Sequence, residues 1–183
     1  MKKSFTLIET IVVVAVIGLT LPVLFAIIFI LMRQQTKINR LSQVKREGDY
    51  VINLMENTIK NDAITIHSGK PADDANITCS LANSSFSGPP LYFLDKTRRW
   101  FGYEDGVNTI ASASSAVSSI NLTSSKAKIS SFSLSCSREN LFSPASISLS
   151  FKIEYCNDVA CNQTRPEETA SLFYQTRIKL RNY

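Results

Sequence analysis

The residues that could perform catalysis are few, and their spacing does not suit it. The chain contains one histidine, His67, so a Ser-His-Asp or Cys-His mechanism would have to use that residue. The sequence has no Gly-x-Ser-x-Gly, Walker A, Gly-x-Gly-x-x-Gly or His-Glu-x-x-His pattern. We therefore predict no catalytic residue and no cofactor, which argues against a membrane-anchored enzyme.

Two acidic pairs, Asp73-Asp74 and Glu104-Asp105, are the candidate calcium ligands. A dedicated calcium loop supplies oxygen ligands at alternating positions, and neither pair has that spacing. The sequence therefore predicts no metal site.

Cations beside aromatic rings form the best candidate for a nucleic-acid contact. The cluster consists of Lys96, Arg98, Arg99, Trp100, Phe101 and Tyr103. Cations combined with stacking rings are typical of proteins that bind single strands. The alternative is a solvated hairpin tip with core rings behind it. Residues 61–183 carry twelve basic and eleven acidic side chains, so their net charge is +1 of the chain's +5. This near-neutral region favours the alternative, and we predict no nucleic-acid partner.

Four cysteines occur in the chain: Cys79, Cys136, Cys156 and Cys161. An even number of cysteines without metal-binding spacing predicts two disulfides and an oxidising compartment. Cys156 and Cys161 bracket only four residues, so they can meet in a turn at little entropic cost. That pairing leaves Cys79 to bond with Cys136 by elimination.

An uncharged segment runs from Ile11 to Met32, and its single hydroxyl belongs to Thr20. A helix of that length spans roughly 33 Å, about the hydrocarbon core of a bilayer. A cleaved secretory signal is the alternative, but the segment ends without an Ala-x-Ala cleavage site. The segment therefore predicts a single membrane-spanning helix.

The charges that flank this segment and the cysteines disagree about topology. Lys2 and Lys3 precede the segment, whereas five basic residues follow it between Arg33 and Arg46. Counting positive charges would place the C-terminus in the cytoplasm. The predicted disulfides place it outside the cytoplasm, and we give them more weight.

The first nine residues, Met1-Lys2-Lys3-Ser4-Phe5-Thr6-Leu7-Ile8-Glu9, resemble the processing motif of the type IV pilin family. That family includes type IV pilins, competence pilins and type II secretion pseudopilins. Its members carry a short basic leader, a small residue that is usually Gly, Phe-Thr-Leu-Ile-Glu and about twenty apolar residues. The resemblance covers residues 1 to about 32, and Ser4 departs from the usual Gly.

The resemblance implies cleavage between Ser4 and Phe5 by a membrane-embedded prepilin peptidase, followed by N-methylation of Phe5. It also implies that Glu9 is the assembly glutamate, whose carboxylate meets the amino terminus of a neighbouring subunit. Buried opposite charges are costly alone and tolerable as a pair. The alternative is an interfacial carboxylate that the positive end of the helix dipole stabilises.

Gly18 and Pro22 predict a kink or a melted stretch, because proline removes a backbone donor and clashes with the preceding turn. In assembled pili of the family, the helix is commonly unwound between a Gly and a Pro in this region. The alternative is that both residues are simply tolerated in a membrane helix.

Residues 33–62 predict an amphipathic continuation of the helix. Its apolar stripe consists of Leu41, Val44, Val51, Met55 and Ile59, widened by Ile38, Ile52 and Leu54. Gly48 interrupts the stripe and lowers helix preference by up to about 1 kcal/mol. We expect the stripe to pack on a sheet. We expect four charged side chains to face outward or toward neighbouring subunits, namely Arg40, Arg46, Glu47 and Glu56.

The remaining residues, 63–183, predict a β-rich head. The sequence predicts a loop over residues 67–90 that contains a short strand at 77–81. It also predicts a hairpin whose strands are residues 91–95 and 100–103. Sixteen serines lie between residues 112 and 150, but the alternation of Phe132, Leu134 and Cys136 argues against disorder. Alternation is clearest over Ser146–Tyr155 and Ser171–Arg181, which predict half-buried antiparallel strands. The predicted fold is α+β, with a long N-terminal helix packed against a C-terminal antiparallel sheet.

These features divide the chain into a leader (1–4), a transmembrane assembly helix (5–32), an amphipathic helix (33–62) and a head (63–183). They predict a structural subunit of a type IV pilus-like filament. The long head favours a minor pilin or pseudopilin; the alternative is a filament-tip subunit that binds DNA for uptake or mediates adhesion. Expected partners are other pilin subunits, prepilin peptidase, the inner-membrane assembly platform and, before assembly, membrane lipid. The head is expected outside the cytoplasm, then in an extracellular or periplasmic filament.

Overall fold

The structure is a computed structural model that describes residues 6–70, 76–156 and 169–180. It begins with one helix, α1 (Leu7–Asp62), and continues as antiparallel strands. The strands are β1 (Thr65–His67), β2 (Ile77–Thr78), β3 (Ser84–Ser87), β4 (Leu91–Leu94), β5 (Trp100–Asp105), β6 (Ile110–Ser114), β7 (Ile120–Asn121), β8 (Ala127–Arg138), β9 (Ser146–Tyr155) and β10 (Ser171–Lys179). The predicted α+β architecture is confirmed.

The second half of α1 packs against the head through residues spaced three or four apart. Its buried positions are Val44, Gly48, Val51, Met55 and Ile59. This spacing places all five on one face of the helix, as the predicted stripe required. The prediction is wrong at the N-terminal end of the stripe, because the side chains of Leu41 and Ile38 are 40% and 63% exposed and are not buried against the head. The helix ends where Ala63 turns to extended backbone, and its N–H donates to the carbonyl oxygen of Ile59.

The strands form two sheets rather than the single sheet that we predicted. One has the order β2-β1-β4-β5-β6-β7 and the other the order β10-β9-β8-β3. Every strand pair is antiparallel. Residues of both sheets and of α1 share one hydrophobic core.

Strand β9 has the predicted limits and the predicted faces. Ile147, Leu149, Phe151 and Ile153 are fully buried, and the residues between them are half-exposed. From Ser146 to Glu154 it pairs with β10, which ends at Lys179, two residues before the predicted end. Strict alternation over ten residues therefore identified one of the two internal strands of the second sheet.

The serine-rich region forms ordered strands, and β8 contains an irregularity that sequence alternation alone does not show. Ala127 and Ile129 are buried before it, and Phe132 and Leu134 after it. The register between β8 and β9 shifts between Ser130 and Ser133, and Ser131 adopts a φ of 57°. One extra residue on a strand forms a β-bulge, which restores the inward direction of the apolar side chains.

Candidate functional site

The first half of α1 leaves its apolar side chains uncovered. The helix is long and apolar enough to cross a membrane by length and composition, and none of its most apolar segment is buried. Contiguous apolar surface of this size is characteristic of a membrane or protein contact. The predicted membrane-spanning segment is therefore a candidate membrane span.

Glu9 lies in the first turn of α1, where its side chain is exposed. Thr6 precedes the helix, and its carbonyl oxygen accepts the backbone N–H of Glu9 at 3.1 Å. The helix dipole favours a carboxylate at this position. Among the described residues, Lys152 and Glu154 form an ion pair, and no cationic side chain of those residues pairs with Glu9. Ser4 and Phe5, the predicted cleavage and methylation residues, lie outside the described residues.

Gly18 and Pro22 lie within a continuous helix. The two residues are four apart, so the backbone donor that Pro22 lacks would have bonded to the Gly18 carbonyl. A side chain added at Gly18 would meet no atom within 4 Å. The helix is thus continuous through Gly18 and Pro22 in the single chain, and a kink or melted stretch in an assembled filament stays a prediction.

The most specific contact between helix and head is the fit of Tyr174 over Gly48. An added Cβ at Gly48 would lie 2.2 Å from Cε2 of the Tyr174 ring. The ring stacks on Phe151 with centroids 5.3 Å apart, and its hydroxyl donates to Asp49 Oδ1 at 2.8 Å. Burial and then this hydrogen bond raise the pKa of Tyr174 above its usual range. Gly48 is therefore a packing position, a role that helix propensity could not indicate.

Two charged residues of α1 also bind the head, which corrects the expectation that they face outward. The Arg40 guanidinium lies 4.3 Å from the centroid of the Tyr155 ring and donates to its hydroxyl. Glu47 accepts two hydrogen bonds from Ser124, one from its hydroxyl at 2.6 Å and one from its backbone N–H at 3.2 Å. Both residues precede Gly48 along α1, so these contacts hold the head on the N-terminal side of the place where Tyr174 packs over Gly48, which we call the Gly48 slot.

We predict that Gly48→Ala destabilises the docking of the head on the helix. Alanine gains up to about 1 kcal/mol of helix propensity, but its Cβ displaces the Tyr174 ring, and overpacking of this kind costs about 1–3 kcal/mol. Urea unfolding of the full chain in detergent, followed by the fluorescence of Trp100, measures the change. Gly18→Ala is the matched control because its surroundings are open. Equal midpoints for both variants would contradict the prediction.

The disulfide between Cys79 and Cys136 joins the two sheets and confirms one predicted pair. Cys79 directly follows β2, and Cys136 lies in β8 of the other sheet. The second predicted pair is Cys156–Cys161. Cys156 is buried at the end of β9, and Cys161 lies outside the described residues.

The predicted hairpin is confirmed, and its rings do not form the stacking platform of the nucleic-acid hypothesis. Phe101 stacks on Phe93 with centroids 5.3 Å apart, and Tyr103 is 2% exposed. Trp100 stays half-buried with its ring edge on Tyr92. Phe101 and Tyr103 thus pack inside the protein and are not available to stack on bases, which favours the alternative of a solvated hairpin tip.

Asp95 holds the tip of this hairpin in place. Its Oδ1 accepts the backbone N–H groups of Thr97 at 2.7 Å and Arg99 at 2.8 Å. Slight burial acts in the opposite direction, but these hydrogen bonds lower the pKa of Asp95. The Asp95 carboxylate therefore stabilises the turn between the two strands of the hairpin.

His67 and the acidic pairs are not assembled into a site in the described residues. His67 was expected in a loop but lies in β1, buried, with Nε2 2.9 Å from the Thr65 hydroxyl. Glu104 accepts a hydrogen bond from Tyr92, and Asp73-Asp74 lie outside the described residues. Among residues 6–70, 76–156 and 169–180, no group of three His, Cys, Asp or Glu side chains could hold a metal ion.

Comparisons of the chain with protein-family models, with curated proteins and with solved structures find no match.

Proposed function

We propose that the chain is a structural subunit of a type IV pilus-like filament, stored in the membrane and polymerised through α1. The observation that carries the proposal is a division within one continuous helix. Its first half, with Glu9 in the first turn, exposes apolar side chains, and its second half is covered by the head. A filament core assembled from the uncovered halves would bury this surface after the subunit leaves the membrane. The proposal extends to a minor pilin or pseudopilin, with prepilin peptidase and an assembly platform as partners.

The alternative is a tip subunit that binds a ligand for uptake or adhesion. The face of the second sheet that points away from the core supports a binding role, and its chemistry is developed below. DNA binding through the hairpin has less support, because Phe101 and Tyr103 pack against other rings or lie in the core.

Processing at the N-terminus tests the filament proposal. Expressed with a prepilin peptidase, the protein is expected to lose residues 1–4 and gain one methyl group on Phe5. Intact-mass analysis of the membrane fraction measures both changes. Expression without the peptidase is the control and should leave the full-length mass. A mature protein that starts after Met32 would overturn the proposal, because the assembly helix would then have been removed as a signal.

A further inference from the structure

The outward face of the four-stranded sheet carries an array of serine hydroxyls, which we call the serine face. Apolar side chains of β8 and β9 point to the core, so the residues between them point outward. On the outward face, every second residue of Ser133–Ser137 and of Ser146–Ser150 is serine. The registers extend the array to β3, since Ser85 pairs with Ser137 and Ser87 with Ser135. Serine side chains are short, so this face is flat.

Strand β10 borders the serine face with longer side chains. Gln175, Arg177 and Lys179 pair with Ser150, Ser148 and Ser146, respectively. All three point outward and are exposed. Phe173 lies two residues before Gln175 on the same face and is 63% exposed. From Phe173 to Lys179 the strand covers roughly 20 Å.

A cavity of about 140 Å³ opens where the serine face meets the cationic end of β10. Ser137, Ser143, Ser146, Arg177 and Lys179 line it, together with Pro144 and Glu139. Arg177 Nε donates to the Ser146 hydroxyl at 2.9 Å, which fixes the guanidinium at the cavity wall. Two cations against one carboxylate give this end a positive charge, and a guanidinium held in place is suited to bind a carboxylate.

We propose that the serine face and the border formed by Phe173, Gln175, Arg177 and Lys179 bind an acidic polysaccharide. Serine hydroxyls both donate and accept, as sugar hydroxyls do, so a flat array of them matches a sugar chain. An exposed aromatic ring can pack against the C–H face of a pyranose. Arg177 and Lys179 bind the carboxylate of a uronic acid in the cavity. Access to such a ligand rests on the proposed function, which places the head outside the cytoplasm.

The charge pattern favours an acidic polysaccharide over DNA. Affinity for a duplex depends on several phosphate contacts along the backbone. On this face, Lys128 and Lys152 lie beside Glu154 at the end near Phe173, where Lys152 is ion-paired with Glu154 at 2.5 Å. Arg177 and Lys179 lie together at the opposite end, where they line the cavity. The groups between that end and Phe173 are uncharged hydroxyls and one amide. A uronic-acid chain carries free hydroxyls on every sugar beside its carboxylates, so it matches these uncharged groups better than DNA, whose deoxyribose-phosphate backbone has no free hydroxyl within the chain.

Binding of polygalacturonate to the full chain in detergent, measured by biolayer interferometry, tests the proposal. We expect binding that weakens at high salt, and at least tenfold weaker binding of neutral dextran. The double variant Arg177→Gln/Lys179→Gln should lose at least tenfold in affinity. Arg98→Gln/Arg99→Gln removes the same charge at the hairpin tip and should stay within twofold of wild type. Phe173→Ala, a second variant at the opposite end of the border, should also weaken binding.

Four results would overturn the proposal: no binding of polygalacturonate by the wild type, equal binding of dextran, equal losses in both double variants, or tighter binding of a DNA duplex. Circular dichroism and an intact Cys79–Cys136 disulfide check that the variants are folded. Failure here is distinguishable from failure of the filament proposal, because N-terminal processing does not involve the serine face. A protein that is cleaved at Ser4 but does not bind would overturn this inference alone.

Discussion

Replacing Glu9 with glutamine is expected to leave the protein cleaved, folded and in the membrane, yet absent from filaments. The reason is the proposed pairing of the Glu9 carboxylate with the amino terminus of a neighbouring subunit. Removing one partner of a buried ion pair costs about 3–5 kcal/mol, because the other charge stays buried without compensation. The head should be unaffected, since its first buried contact with α1 is at Val44, far along the helix.

The amount of the Glu9→Gln subunit in sheared filaments, relative to the membrane fraction, measures this effect. Glu56→Gln is the matched control, because it removes a carboxylate from the covered half of the same helix. Glu9→Asp keeps the charge and should retain part of the assembly. Wild-type amounts of Glu9→Gln in filaments would contradict the prediction and favour an interfacial carboxylate. Loss of the variant from the membrane would also contradict it, because Glu9 would then serve stability or processing.

Removing the disulfide that joins the two sheets is expected to cause the other large effect. Cys79 and Cys136 are 57 residues apart, and a loop of that size accounts for about 4 kcal/mol of unfolded-state entropy. The double variant Cys79→Ala/Cys136→Ala should lower the free energy of unfolding by about that amount. Urea titration of the full chain in detergent, followed by Trp100 fluorescence, measures it.

Reduction provides the control for this variant, because it opens the bond without removing the sulfur atoms. A reductant should reproduce most of the loss in the wild type and have a smaller further effect on the double variant. Matching urea midpoints for the wild type and the variant would contradict the prediction. Peptide mapping under non-reducing conditions adds a test of topology, since four free thiols would place the head in the cytoplasm.

Local periodicity predicted the elements whose burial depends on alternation. The limits of β9 and its buried residues follow from ten alternating positions, and the docking stripe follows from the spacing of Val44, Val51, Met55 and Ile59. Both signals arise within one segment, so they can be read without knowing what the segment contacts. The hairpin around Asp95 is predictable for the same reason.

The features that sequence reasoning missed depend on contacts between distant segments. Gly48 looks unfavourable within a helix until Tyr174, more than a hundred residues later, is placed over it. Arg40 looks like a surface charge until Tyr155 is brought beneath its guanidinium. The division of the strands into two sheets is also non-local, because each short strand could pair with several others. The serine face was concealed because the sequence shows polar residues but does not show which strands lie side by side.

The continuity of α1 makes its second half a lever for the head. From Pro22 to the first buried residue of the docking face, Val44, the helix rises roughly 33 Å. A bend of about 10° introduced at Pro22 would therefore move the head sideways by roughly 6 Å. Because the Gly48 slot and the Arg40 contact hold the head to the far arm, it moves as one piece with that arm. In the proposed filament, a bend at this one residue would therefore change the spacing between the heads of neighbouring subunits without any change in how each head is packed.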